Sequence, residues 1–118
     1  MGLFGKRQRP PVVRVVSKIR FIGEQDGAPE RGLKTLLVPE LVSSNAVRAY
    51  LARVQYENAS TYEVALCVRG AEDPRLVQAV ADHFAKLFRR DTYLDTLFLT
   101  EAQEKDLGRV CKPFYGAV

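Results

Sequence analysis

The fold turns on the stretch Ala46–Gly70, AVRAYLARVQYENASTYEVALCVRG. It divides at the polar tetrapeptide ENAS, Glu57–Ser60, into two runs, Ala46–Tyr56 and Thr61–Gly70, both rich in β-branched and aromatic residues. A short polar break between two such runs signals a β-hairpin. In the second run Val64, Leu66 and Val68 alternate with Ala65 and Cys67. Both faces are therefore apolar, which places this strand inside a sheet and not at its edge.

Downstream, DPRLVQAVADHFAKLFRRD (Asp73–Asp91) carries Leu76, Val77, Val80, Ala81, Phe84, Leu87 and Phe88 at helical spacing. Asp73 is placed to cap this helix, with Pro74 at its first position. YLDTLFLT (Tyr93–Thr100) follows as a strand, and TEAQEKDLGRV (Thr100–Val110) as a short helix with Thr100 and Gln103 spaced as a capping box. Upstream, VVRVVSKIRFIG (Val12–Gly23) reads as a first strand, GEQDGAP as its loop, and PERGLKTLLVPELVSSN (Pro29–Asn45) as a helix. Pro39 is expected to kink or split that helix, because it removes one backbone hydrogen bond and crowds the preceding turn.

The order strand, helix, strand, strand, helix, strand is that of a ferredoxin-like or split βαβ fold. It predicts an α+β protein with a four-stranded antiparallel sheet, two helices on one face and a short C-terminal helix. The closing VCKPFYGAV (Val110–Val118) places two aromatics where they can cover the second face or seal an open edge. Residues 12–118 read as a single domain preceded by a basic arm, residues 1–11, since 118 residues can bury one modest core without staples.

The formal net charge of +4 is unevenly spread. Lys6, Arg7, Arg9, Arg14, Lys18 and Arg20 fall within the first twenty residues without an acid, so the remainder is slightly acidic. Such an arm can contact phosphates of nucleic acid or lipid, or it can be a solvated tail, which is how short basic blocks usually behave. MGLFGKRQRPP lacks the apolar run of a secretory signal, and the chain has no apolar run near the ~20 residues of a membrane span. A cytoplasmic location is expected. Cys67 and Cys111 are too few for a disulfide framework and lack zinc-site spacing, so no metal or other cofactor is expected. His83 adjoins the polar side of its helix and reads as a surface histidine, since a catalytic base needs a nucleophile within reach.

From about Arg20 to Tyr115 the chain resembles the C-terminal domain of the bacterial enhanced serine sensitivity protein, SseB. RFIGEQDGAPERGL, VRAYLARVQY, YEVALCVRG and the closing KPFY (Lys112, Pro113, Phe114 and Tyr115) carry the resemblance. The resemblance implies an additional N-terminal domain in longer relatives, and here a basic arm is expected in its place. The resemblance implies a cytoplasmic bacterial protein named for a serine-sensitivity phenotype and without an established active site.

The leading expectation is thus a non-enzymatic binding or accessory module that works through a protein partner or a homodimer. Tyr50, Tyr56 and Tyr62, on or beside the hairpin, are its candidate interface residues, although aromatics also suit ordinary packing on a pleated sheet. The alternative is an amino-acid sensor. In that reading Gly23 and Gly27 let backbone amides approach a carboxylate at the first strand-to-helix loop, and Asp26 or Glu30 meets the amino group. Gly, Asp and Pro are equally what any turn requires. Nucleic-acid binding by the folded part is disfavoured, because the third strand lacks the aromatic run of an RNA-recognition motif. No P-loop, paired-His metal motif or Gly-x-Ser-x-Gly elbow marks the chain as an enzyme.

Overall fold

The computed structural model describes residues 19–57, 60–88 and 94–116. The basic arm 1–11, the Val12–Lys18 part of the first expected strand, the centre of ENAS and the junction after Phe88 lie outside the described residues. Four strands and three helices follow in the order β1 (Ile19–Glu24), α1 (Ala28–Ser43), β2 (Arg48–Tyr56), β3 (Glu63–Arg69), α2 (Pro74–Phe88), β4 (Asp95–Phe98) and α3 (Glu101–Leu107). The fold is α+β.

The strands lie in sequence order, β1-β2-β3-β4. β1 pairs with β2 and β2 with β3 antiparallel, whereas β3 and β4 run parallel. The sheet is therefore mixed, which corrects the expected antiparallel sheet. In a split βαβ arrangement each crossover skips a position that another strand occupies. Here the α2 crossover returns the chain in the direction of β3 and sets it down beside β3, and a helical crossover between adjoining strands gives parallel pairing. The hairpin and the central place of β3 are as the sequence predicts.

One face of the sheet is covered by α1 and α2. Leu33, Leu37 and Leu41, four residues apart along α1, are at most 1% exposed and meet Leu51 and Leu66 of the sheet and Leu76 and Val80 of α2. Full burial of each such side chain contributes about 2 kcal/mol. α1 runs unbroken through Pro39, so the expected split does not occur. Asp73 Oδ1 accepts the N–H groups of Arg75 and Leu76 at 3.0 and 3.4 Å, the cap expected from the sequence. His83 Nε2 lies 2.9 Å from Glu40 Oε2 and links α2 to α1.

The opposite face is built from Tyr50, Ala52, Val54 and Tyr56 of β2, Ala65 and Cys67 of β3, and Leu97 of β4, with Leu107 of α3 and Cys111 packed on them. The α3 capping box forms in both directions: Gln103 N–H donates to Thr100 Oγ1, and Thr100 N–H to Gln103 Oε1. This box fixes where α3 starts and so which of its side chains face the sheet.

The terminal aromatics seal an edge. β1 stops pairing with β2 at Ala52, beyond which Gln25 N–H reaches Leu51 O. The vacated edge at Ala49 is taken by the closing segment, where Ala49 N–H donates to Tyr115 O at 3.1 Å and Phe114 N–H to Ala49 O at 2.9 Å. Phe114 and Tyr115 pack against the α1/α2 side, and Lys34 Nζ sits 5.8 Å from the Phe114 ring centre. Gly116 then turns away at φ +70, where a Cβ would lie 2.0 Å from Val47 O. Only glycine fits there.

Candidate functional site: a charged cavity at one end of the sheet

Residues two apart on a strand share a face, so Arg48 and Tyr50 project together from β2. The β2–β3 register sets Arg69 directly opposite Arg48. Two like charges facing each other across a ladder repel and need a counter-charge. α3 supplies it in Glu104, which lies in the first turn of that helix, where a carboxylate is favoured.

Glu104 accepts from both sides. Arg48 donates from Nε to Oε2 and from Nη2 to Oε1, the latter at 3.0 Å, in a two-pronged pair. Tyr50 Oη donates to Oε2 at 2.7 Å. Arg69 Nε is 3.4 Å from Oε1, while its Nη1 donates to Leu99 O at 3.3 Å. The Arg48 hydrogen bonds hold the Glu104 carboxyl below the ordinary glutamate range, and the same contact raises the Arg48 guanidinium. Burial, reinforced by the adjacent carboxylate, pushes the Tyr50 phenol up to about 12.

These side chains form one wall of a cavity of about 530 Å3. Its other wall is α3 and the turn after it, contributed by Glu101, Lys105, Gly108 and Arg109. The volume falls within the range of small-ligand sites.

The loop Gly23–Glu30 is arranged differently. Gly23 is buried in β1 beside an irregularity in the ladder, opposite Arg53. Asp26 forms ion pairs with Arg31 and Lys34, both at 3.2 Å, and the Lys34 contact leads in holding its carboxyl low. Glu30 accepts from Gln25 Nε2 at 3.0 Å, and Gly27 is the residue before α1. Both carboxylates of the candidate ligand loop are thus engaged by neighbours in the loop or on α1.

Of the candidate interface tyrosines, Tyr50 and Tyr56 are inside the fold, at 3% and 8% exposure, and Tyr62 is exposed. Tyr56 Oη donates to Asp95 Oδ2 at 2.8 Å. Lys112 N–H approaches Glu24 Oε1 at 3.5 Å, which ties the KPFY segment to the end of β1. Cys67 and Cys111 are buried, and burial raises both thiols, Cys111 to about 12. Among the described residues no three His, Cys, Asp or Glu side chains converge as a metal site, and no helix is long and apolar enough to cross a membrane.

Sequence reasoning missed the cluster of Arg48, Arg69 and Glu104. Arg48 and Glu104 are 56 positions apart, and no local spacing joins them. The hairpin itself offered one signal. Pairing the two runs from their turn brings two arginines together at the open end, an arrangement that requires an acid from elsewhere. No family model, curated protein or solved structure matches the chain.

Proposed function

We propose that this chain is a non-enzymatic binding or accessory module of the SseB C-terminal type, and that its charged cavity is a recognition surface. The KPFY closure and the hairpin motifs support the family reading. The arrangement of the cavity groups carries the binding reading. Glu104 is held in place by hydrogen bonds from Arg48 and Tyr50 and an ion pair with Arg69. A wall whose charges are locked in place suits selection of a partner by charge.

The test is a thermal-shift screen of the full chain against anionic, zwitterionic and cationic metabolites, with each stabilising compound recovered and analysed by NMR. A native-state ligand at one hundred times its Kd adds about 2.7 kcal/mol. A rise in Tm with the compound recovered intact is expected. Recovery of a chemically altered compound overturns the non-enzymatic reading, and a panel without any stabilising compound counts against small-molecule recognition and in favour of a protein partner.

A further inference from the structure

We propose that the cavity between the β2–β3 end and α3 is an anion site, with Lys105 and Arg109 as the groups that hold a phosphate or carboxylate. The inference rests on the binding reading above and adds the chemical class of the ligand.

The argument begins with charge. Beyond residue 20 the chain is net acidic, yet this cavity is lined by four cationic side chains and two carboxylates. Of the two, Glu104 is already shared by Arg48, Arg69 and Tyr50 and has little left to offer an incoming cation. Lys105 and Arg109 have no such partner: among the described residues neither forms an ion pair, and both are exposed. Arg69 commits Nε to Glu104 and Nη1 to Leu99 O, so its second terminal nitrogen has no partner among the described residues.

Geometry brings the free charges together. α3 ends at Leu107 and a turn follows, in which Gly108 N–H donates to Glu104 O at 2.9 Å and Arg109 N–H to Asp106 O at 3.2 Å, and both Lys105 and Arg109 line the cavity. Both side chains therefore border the same space. Gly108, between the two, also lines the cavity and adds no side chain to fill it. Two cations lining one cavity beside a hydrogen-bonded Arg–Glu–Tyr wall can share one anion, and charge-assisted hydrogen bonds to an oxyanion are the strong ones. Glu101 on the rim disfavours a ligand bearing further negative charge on that side.

Cations at this end of α3 also complement the helix dipole, so stability and binding must be read separately. The experiment titrates the 15N-labelled full chain with inorganic phosphate and with acetate at pH 7, at one ionic strength set with sodium chloride. Saturable shifts confined to the amides of Tyr50, Lys105, Gly108 and Arg109 are expected, with at least tenfold weaker binding in the doubly substituted chain Lys105→Ala, Arg109→Ala. Both positions are exposed, so that chain folds. Tighter binding of phosphate points to a phosphate-bearing ligand, and equal or tighter binding of acetate to a carboxylate.

Shifts that do not saturate, that spread over every basic surface, or that survive the double substitution overturn the proposal. So does a loss of stability in the double variant with anion binding unchanged. If a neutral or cationic compound from the metabolite screen moves these amides while both anions fail, the anion assignment is overturned and the binding reading stands. Chemical alteration of a bound compound instead overturns the reading beneath it.

Discussion

The two faces of the sheet are held by different physics. On the α1/α2 face, leucines and valines fill the space between helices and strands, and the contacts are non-directional. On the α3 face, buried apolar residues are joined by polar pairs between distant segments: Tyr50 and Arg48 with Glu104, and Tyr56 with Asp95. The first face sets the general shape of the molecule. The second fixes where a small helix sits on it, and so creates the cavity. A core can be specified by volume alone, whereas a site needs partners with defined direction.

Truncation on the first face should have the largest effect. Leu66→Ala, at a side chain with 0% exposure in the central strand, is expected to lose about 3 kcal/mol of unfolding free energy in a urea melt. A loss below about 1 kcal/mol would show that this face is not the main source of stability. Next comes Glu104→Ala, which leaves two arginines facing each other without a counter-charge. A loss of about 2 kcal/mol at pH 7 is expected, in the range for hydrogen bonds to charged groups.

The same residue makes the contrast depend on pH. Because the Glu104 carboxyl is held low in the folded protein, its stabilisation is complete above the ordinary glutamate pKa and is lost as pH falls through the folded value. The gap between native and Glu104→Ala stability should therefore narrow on acidification below about pH 4. A gap that stays constant would break the ionic account. The smallest effect has the opposite sign. Thr96, on the α1/α2 side of β4, is fully buried, and its hydroxyl has no hydrogen-bond partner among the described residues. Thr96→Val keeps the branched shape and removes that polar atom, so a gain of about 1 kcal/mol is expected in the same melt. Loss of polarity should thus help on one face and harm on the other.

This difference also explains what could be read before the structure. The hairpin, the central β3, the Asp73 cap and the Thr100–Gln103 box depend on neighbours within a few residues, and periodicity or spacing reveals them. The leucine ladder of α1 is legible for the same reason. The direction of β4 was not, because the element order βαββαβ fits both an interleaved antiparallel sheet and strands laid down in sequence. Choosing between them takes long-range pairing energies that no local pattern reports. Pro39 predicts a kink or a split, yet α1 is not split there, because the packing of Leu33, Leu37 and Leu41 outweighs the loss of one backbone bond. The site was almost wholly hidden. No local pattern singles out Arg48, Arg69 or Glu104, and only the closing of β2, β3 and α3 upon each other makes them a cluster. The tyrosines drew notice as aromatics, but Tyr50 acts through its hydroxyl.

The bridge from Ala49 to Tyr115 bears on how the chain is made. During synthesis β2 emerges early, but its outer edge around Ala49 stays unpaired until residues 114 and 115 have been added. Contacts between segments so distant in sequence form late and slow the search for the native state. An unpaired edge is also a template for association with other chains. The nascent protein therefore passes through an interval in which this strand is vulnerable, and removal of Phe114 and Tyr115 would make that interval permanent.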